Sequence, residues 1–97
     1  EGVICMSNIT VSEFYCTQCG NRGIPIARPS KKVREPGHLK KLYCLRCGRE
    51  TNHAECRGFG AYTKADFDIE YKCGNFDKDG NRIQPNWRIF VAEHRGD

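Results

Sequence analysis

Short apolar segments alternate with charged or glycine-containing turns along most of the chain. The stretch 24–29 contains two isoleucines, but its two prolines confine it to an edge strand or an extended loop. Residues 39–43 lead into the second of two cysteine turns, and residues 51–56 leave that turn with the length and side chains of a short strand. Residues 1–12 show no periodicity, and we expect an irregular segment there.

The segment 63–73 fits two interpretations. From 67 to 73, apolar residues alternate with charged ones, which indicates a strand. However, Thr63 followed by Asp66 forms an acidic variant of the capping box, and Gly74 stands where a helix C′ residue belongs. The two aromatic residues of the segment are also spaced to share one helix face. We therefore favour a short helix.

The remainder of the chain predicts a turn at Asp79-Gly80 and a final strand at 87–92. Residues 13–57 are expected to form one unit, and residues 58–97 an extension packed on it. Four aromatic residues are expected to close the core between them: Trp87, Phe90, Phe67 and Tyr71.

The composition indicates that the fold needs additional stabilisation by a cross-link or a metal ion. The chain has 97 residues, of which 38% are hydrophobic and 29% charged. A core of this size is thin, and small domains often depend on disulfides or a metal. No apolar run is long enough for a membrane span, and no signal peptide is recognisable. We expect a protein of the reducing cytoplasm.

The cysteines predict that a metal ion supplies this stabilisation. Seven is an odd count, and four of the seven form two Cys-x-x-Cys pairs separated by 24 residues. The four paired residues are Cys16, Cys19, Cys44 and Cys47. Two such turns place four thiolates around one Zn²⁺, and a glycine follows each pair where the turn needs a positive φ. Such a site is closed and structural. The alternative is four buried or redox-active cysteines.

The predicted fold is thus a small metal-bound α+β structure. It consists of a zinc ribbon of short antiparallel strands, one short helix and a C-terminal strand or hairpin. A second metal site could use His53 and Cys56 with Cys73 or His38, but Cys56 and Cys73 fit better as small apolar core residues. The segment 75–86 begins like a calcium loop, yet it has Asn where the bidentate Glu is required, so we predict a hairpin turn instead.

Charge is unevenly distributed. Residues 1–49 carry nine Lys/Arg and three Asp/Glu, whereas residues 50–97 carry seven and nine. Eight basic residues crowd the loop 28–49: Arg28, Lys31, Lys32, Arg34, Lys40, Lys41, Arg46 and Arg49. With Phe14 and Tyr43 near the cysteine turns, this loop is a candidate nucleic-acid surface. A merely solvated loop explains the charge equally well.

Catalysis has weaker support. His38 or His53 could pair with a carboxylate, but no catalytic signature is recognisable. The histidine-rich strand expected of an HNH nuclease cannot be placed either. We therefore predict a non-enzymatic protein, with a metal-dependent nuclease as the less favoured reading.

Several runs resemble small zinc-ribbon proteins encoded by phages and mobile elements of Gram-positive bacteria. The runs are 14–21, 35–44, 51–55, 62–67, 74–77 and 80–82, and the most specific parts are 37–41 and 52–55. The resemblance implies a zinc-ribbon fold and a phage origin, without a settled activity. The residues before 13 and Cys56 depart from the pattern, which leaves the roles of Cys5 and Cys56 open.

Two functions follow as hypotheses. The first is a structural-zinc module that contacts nucleic acid through the loop 28–49. The second is a protein-interaction factor that modulates a host transcription, replication or defence enzyme.

Overall fold

The computed structural model describes residues 9–29, 37–57 and 62–95. Its elements in chain order are β1 (Ile9–Cys16), β2 (Ile26–Pro29), β3 (Leu39–Cys44), β4 (Arg49–Cys56), α1 (Lys64–Lys72) and α2 (Trp87–His94). The strands form a curled antiparallel sheet in the order β2-β1-β4-β3, with β2 at one edge as predicted. The fold is a small α+β structure. Strand β1 includes Ile9 to Ser12, so the expectation of an irregular segment to residue 12 is wrong for these four residues.

One face of the sheet packs on the helices. Tyr15 pairs with Ala54 across β1 and β4, and both contribute to the core together with Cys56. From the helical side, Phe67 and Trp87 complete this core. Because side chains alternate along a strand, His53 and its i+2 neighbours on β4 lie on the opposite face.

Helix α1 confirms the helical interpretation of 63–73. The carboxylate of Asp66 accepts a hydrogen bond from the Thr63 backbone N–H at 2.9 Å, so the capping box is formed. Gly74 follows the helix with φ of 86°. Phe67 faces the sheet and stacks on Tyr15, with ring centroids 5.3 Å apart. The alternation with charged residues in this segment therefore does not indicate a strand.

Helix α2 corrects the C-terminal prediction, because residues 87–94 form a helix where a strand was expected. Asn86 caps it, since its side-chain oxygen accepts a hydrogen bond from the Arg88 N–H at 3.1 Å. Trp87 and Val91 are buried at i, i+4 spacing, which places both side chains on one face of the helix. The described fold has two helices, not one.

The predicted aromatic core is partly correct. Phe67 is 2% exposed and Trp87 is 8% exposed, as expected. Phe90 is only half-buried and stacks on His94 on the outside of α2. Tyr71 is 37% exposed. The place expected for these two residues is filled by Tyr62, whose ring meets Trp87 edge-on at 4.9 Å.

A buried ion-pair network ties the C-terminal segment to the sheet. Glu70 is fully buried and accepts two hydrogen bonds from Arg82, at 2.8 and 2.9 Å. Tyr62 donates to the same carboxylate at 2.6 Å, and burial together with Glu70 raises the Tyr62 pKa. Arg82 also donates to the carbonyl of Gly37 at 2.6 Å. Removing one partner would strand a buried charge, so the network fixes where the segment 75–86 lies.

Across the described ranges, no helix is long and apolar enough to cross a membrane.

Candidate metal centre

The four paired cysteines converge on one point. Their sulfur atoms all lie within 4.8 Å of one another. Across the pairs, the sulfurs of Cys19 and Cys44 are 3.5 Å apart and those of Cys16 and Cys47 are 3.8 Å apart. A tetrahedral Zn²⁺ with Zn–S bonds of about 2.3 Å holds its sulfurs about 3.8 Å apart. The geometry therefore fits one metal ion bound by four thiolates.

The sheet brings the two cysteine turns together. Cys16 ends β1 and Cys44 ends β3, and both strands pair with β4. We call residues 16–20 the first knuckle and residues 44–48 the second knuckle. In each, the backbone N–H of the closing glycine donates to the carbonyl of the first cysteine at 2.8 Å. The two glycines have φ of 79° and 73°, which confirms that the turns need a positive φ.

Backbone and side-chain donors surround the sulfurs. The N–H of Gln18 points at Cys16 Sγ and the N–H of Cys47 points at Cys44 Sγ, each at 3.4 Å. The hydroxyl of Thr51 lies 3.0 Å from Cys16 Sγ, where it can donate to a thiolate. The contact of Thr51 with the metal centre was not predicted from the sequence. Thr51 reaches Cys16 because β1 pairs with β4, and the spacing of residues along the chain does not reveal that pairing.

Electrostatics favours a bound cation. Burial raises the pKa of Cys19 to about 12. Burial acts in the same direction on Cys44, but the N–H of Cys47 and the neighbouring thiols outweigh it and lower the Cys44 pKa to about 7. The four sulfurs cannot all ionise at this spacing without a positive charge between them. A divalent metal supplies that charge, and a site closed by four thiolates has no open position for water.

The other candidate ligands do not converge. Among the described residues, the four paired cysteines are the only such cluster of His, Cys, Asp or Glu. Cys56 is 2% exposed within the core, as expected, but Cys73 is exposed, so its expected place in the core is wrong. His53 is buried, and its Nδ1 lies 2.9 Å from the carbonyl of Thr51.

The segment resembling a calcium loop forms a turn. The side-chain oxygen Oδ1 of Asp77 accepts hydrogen bonds from the N–H groups of Asp79 and Asn81, each at 2.9 Å. Phe76 and Arg82 form an antiparallel bridge on either side of this turn. The predicted turn at Asp79-Gly80 is confirmed.

The described basic residues of the loop 28–49 do not all lie on one face of the sheet. Lys31, Lys32 and Arg34 lie outside the described residues, and only the backbone of Arg28 is described. Lys40 and Lys41 follow one another on β3 and so point to opposite faces of the sheet. Arg46 is exposed in the second knuckle, and Arg49 begins β4.

A polar groove runs beside the metal centre on the face that carries Lys41. Its volume is about 410 Å³. Its lining combines two cations, two carboxylates and four uncharged polar residues: Lys41, Arg49, Glu50, Asp79, Gln18, Thr51, Asn52 and Asn81. Next to the groove, Tyr43 is 60% exposed and pairs with Glu50 across the strands. We call Lys41, Tyr43 and this groove the edge surface, because β3 is an edge strand of the sheet.

Comparison with protein-family models, curated proteins and solved structures found no match for the chain. Function is therefore inferred from the geometry of the site itself.

Proposed function

We propose that the protein is a non-enzymatic zinc-binding module of the zinc-ribbon type that contacts nucleic acid through its edge surface. The observation that carries the nucleic-acid part is Tyr43. Its ring is 60% exposed on an edge strand, two residues from Lys41 on the same face.

The choice of zinc rests on the donor set. Four sulfurs at tetrahedral spacing suit Zn²⁺, whereas Ca²⁺ and Mg²⁺ prefer oxygen ligands. When bound, zinc would hold the two knuckles together and position β1 and β3 on either side of β4. A closed four-thiolate site has a structural role, which agrees with a binding module and with a reducing compartment such as the cytoplasm.

Nucleic-acid contact rests on stacking and charge. An exposed aromatic ring beside a cation is the arrangement that single-strand binders use, since stacking contributes about 1–3 kcal/mol per base. Lys41 and Arg49 both line the groove, and Arg46 adds an exposed cation in the second knuckle. Contacts of two or three phosphates would give modest affinity that salt weakens.

The test is a fluorescence-anisotropy titration of zinc-loaded protein with labelled single- and double-stranded DNA and RNA. We expect the single strands to bind more tightly, with affinity falling roughly tenfold between 50 and 200 mM salt. Lys41→Gln should weaken binding and reduce the salt dependence, whereas Lys40→Gln is the matched control because it lies on the other face. Tyr43→Ala should weaken binding more than Leu45→Ala does. Absence of binding at low salt would refute the proposal.

A protein partner is the second candidate, and the exposed apolar residues favour it. Leu45 is 83% exposed in the second knuckle, and Ile24 is 77% exposed near the first. Large exposed apolar patches mark contacts with other proteins, and Leu45 and Ile24 would serve as apolar anchors of such a contact. A host enzyme modulated by a phage-encoded factor would be such a partner. Binding of this kind would tolerate salt and would depend on Leu45 rather than Lys41, so the same variants separate the two candidates.

A further inference from the structure

The groove beside Tyr43 has a composition that a phosphate-binding surface does not explain. It carries two cations, Lys41 and Arg49, and two carboxylates, Glu50 and Asp79. A phosphate placed there would meet both attraction and repulsion. The ligand group that fits is uncharged and rich in both hydrogen-bond donors and acceptors.

Two side-chain amides of the groove, those of Asn52 and Asn81, each keep one hydrogen-bonding group that no described residue engages. The side-chain nitrogen of Asn52 donates to Asn81 Oδ1 at 2.9 Å and to the carbonyl of Gly80 at 3.3 Å. No hydrogen bond within the described residues engages the Asn52 side-chain oxygen or the Asn81 side-chain nitrogen. The pair therefore offers one acceptor and one donor, and the Gly80 carbonyl fixes this assignment, because the Asn52 atom that faces it must be the donating nitrogen. Donor–acceptor pairs of this kind recognise the edges of bases.

The position of Tyr43 connects the groove with stacking. Tyr43 is opposite Glu50, and Lys41 is opposite Asn52, so these four side chains lie on one face of the β3–β4 pair. A strand advances about 3.3 Å per residue, which places the Cα atoms of Tyr43 and Lys41 about 7 Å apart along the strand. A nucleotide chain crossing this face can stack one base on Tyr43 and direct a neighbouring base into the groove.

We infer that this groove binds an unpaired nucleobase, and that guanine is the base it favours. Guanine offers acceptors at O6 and N7 to Lys or Arg, and donors at N1 and N2 to a carboxylate. The groove supplies both kinds of partner, on Lys41 and Arg49 and on Glu50 and Asp79. Adenine presents no acceptor pair for a cation, and cytosine presents one exocyclic donor to a carboxylate. The inference rests on the proposed nucleic-acid function and adds the identity of the recognised group.

The test uses zinc-loaded full-length protein and oligothymidine octamers with one central guanine, adenine or cytosine, as DNA and as RNA. We expect the guanine octamer to bind at least about fivefold more tightly than plain oligothymidine. Replacing guanine by inosine, which lacks the N2 amino group, should remove most of that preference. The DNA and RNA series show which nucleic acid provides the base.

Variants of the two carboxylates separate recognition from simple charge. Glu50→Gln and Asp79→Asn should abolish the guanine preference, while plain oligothymidine binds as well as before or more tightly. Glu93→Gln removes an equal charge from the exposed side of α2 and should retain the preference. Equal binding of all octamers, or a preference that survives both carboxylate variants, would overturn this inference alone. Failure of every oligonucleotide to bind would overturn the proposed function as well.

Discussion

The two knuckles have nearly the same sequence and backbone, but they differ in what surrounds them. Both read Cys-x-x-Cys-Gly, and both close with a glycine of positive φ and the same hydrogen bond back to the first cysteine. In the first knuckle, the hydroxyl of Thr17 is buried and donates to the carbonyl of Gly80 at 2.8 Å. In the second knuckle, the equivalent residue is Leu45, which is 83% exposed.

The closing glycines show the same contrast. A methyl group at Gly20 would lie 3.3 Å from the ring of Tyr71, whereas at Gly48 it would meet nothing within 4 Å. The first knuckle is thus covered by Tyr71 of α1 and by Gly80, and the second is open to solvent. A repeated metal-binding motif fixes local geometry, but the rest of the fold decides which copy has a structural role and which is available to a partner.

Loss of one cysteine ligand should have the largest effect, because the metal ion is what connects the two knuckles. Zinc contributes on the order of 10 kcal/mol to folding in small zinc peptides. We expect Cys44→Ser to lose stoichiometric zinc and cooperative unfolding, measured by metal analysis and circular dichroism. Cys73→Ser is the control, since Cys73 is exposed and outside the cluster. A Cys44→Ser protein that retained zinc and its melting transition would contradict the assignment.

Acid should release the metal, with a pH dependence set by the pKa values of its thiol ligands. The Cys19 pKa is raised to about 12 by burial, so this first-knuckle thiol loses its proton only when metal binds. Cys44 in the second knuckle, with a pKa of about 7, is already ionised above neutrality. Protons compete with zinc, so apparent affinity should fall at least about tenfold per pH unit, and more steeply below pH 7.

Competition with a chelator of known pH dependence, between pH 6 and 8, measures this effect. A slope that does not steepen as the pH falls through 7 would show that Cys44 is not the early-ionising thiol.

Crowding the covered knuckle should cost more stability than changing the open one. Gly80 has φ of 82°, and a methyl group there would lie 2.5 Å from the Thr17 hydroxyl. Gly48→Ala, with φ of 73° and open space, should cost about 1–2 kcal/mol from the backbone alone. Gly80→Ala should cost about 1–3 kcal/mol beyond that, because Thr17 is short and buried. Chemical denaturation of the zinc-loaded proteins compares them, and equal losses would mean that the C-terminal segment does not press on the first knuckle.

Local signals in the sequence were sufficient for the parts of the fold that depend on near neighbours. The cysteine spacing predicts the metal cluster, the Thr63–Asp66 capping box predicts the start of α1, and Asp79-Gly80 predicts a turn. The strand expected at 87–92 is a helix, although its aromatic and β-branched residues favour strands. What makes it a helix is the Asn86 cap and the burial of Trp87 and Val91 against distant residues.

The candidate site likewise has one part that the sequence predicts and one part that it does not. The four cysteines could be identified from their spacing alone. The sequence did not show which basic residues of the loop share a surface. Lys40 and Lys41 point to opposite faces because they lie in a strand, so their separation follows only once that strand is known. The groove was not foreseen at all, since it joins Asn52 of β4 to Asn81, and the pairing of these side chains depends on how the C-terminal segment folds back.

The smallest predicted effects come from the equivalent positions of the two knuckles, Thr17, whose hydroxyl lies 2.8 Å from the Gly80 carbonyl and 3.2 Å from that of Asn52, and Leu45, which is exposed. Thr17→Val keeps the shape of the side chain but removes the buried hydroxyl that donates to Gly80. We expect a loss of about 1 kcal/mol in the free energy of unfolding, because Gly80 keeps a weaker donor in Asn52. Leu45→Val at the open knuckle should stay within about 0.5 kcal/mol of the parent protein. Both are measured by denaturation with zinc present. If Leu45→Val proved as costly as Thr17→Val, the second knuckle would be packed rather than open, and its availability to a partner would be lost as an argument.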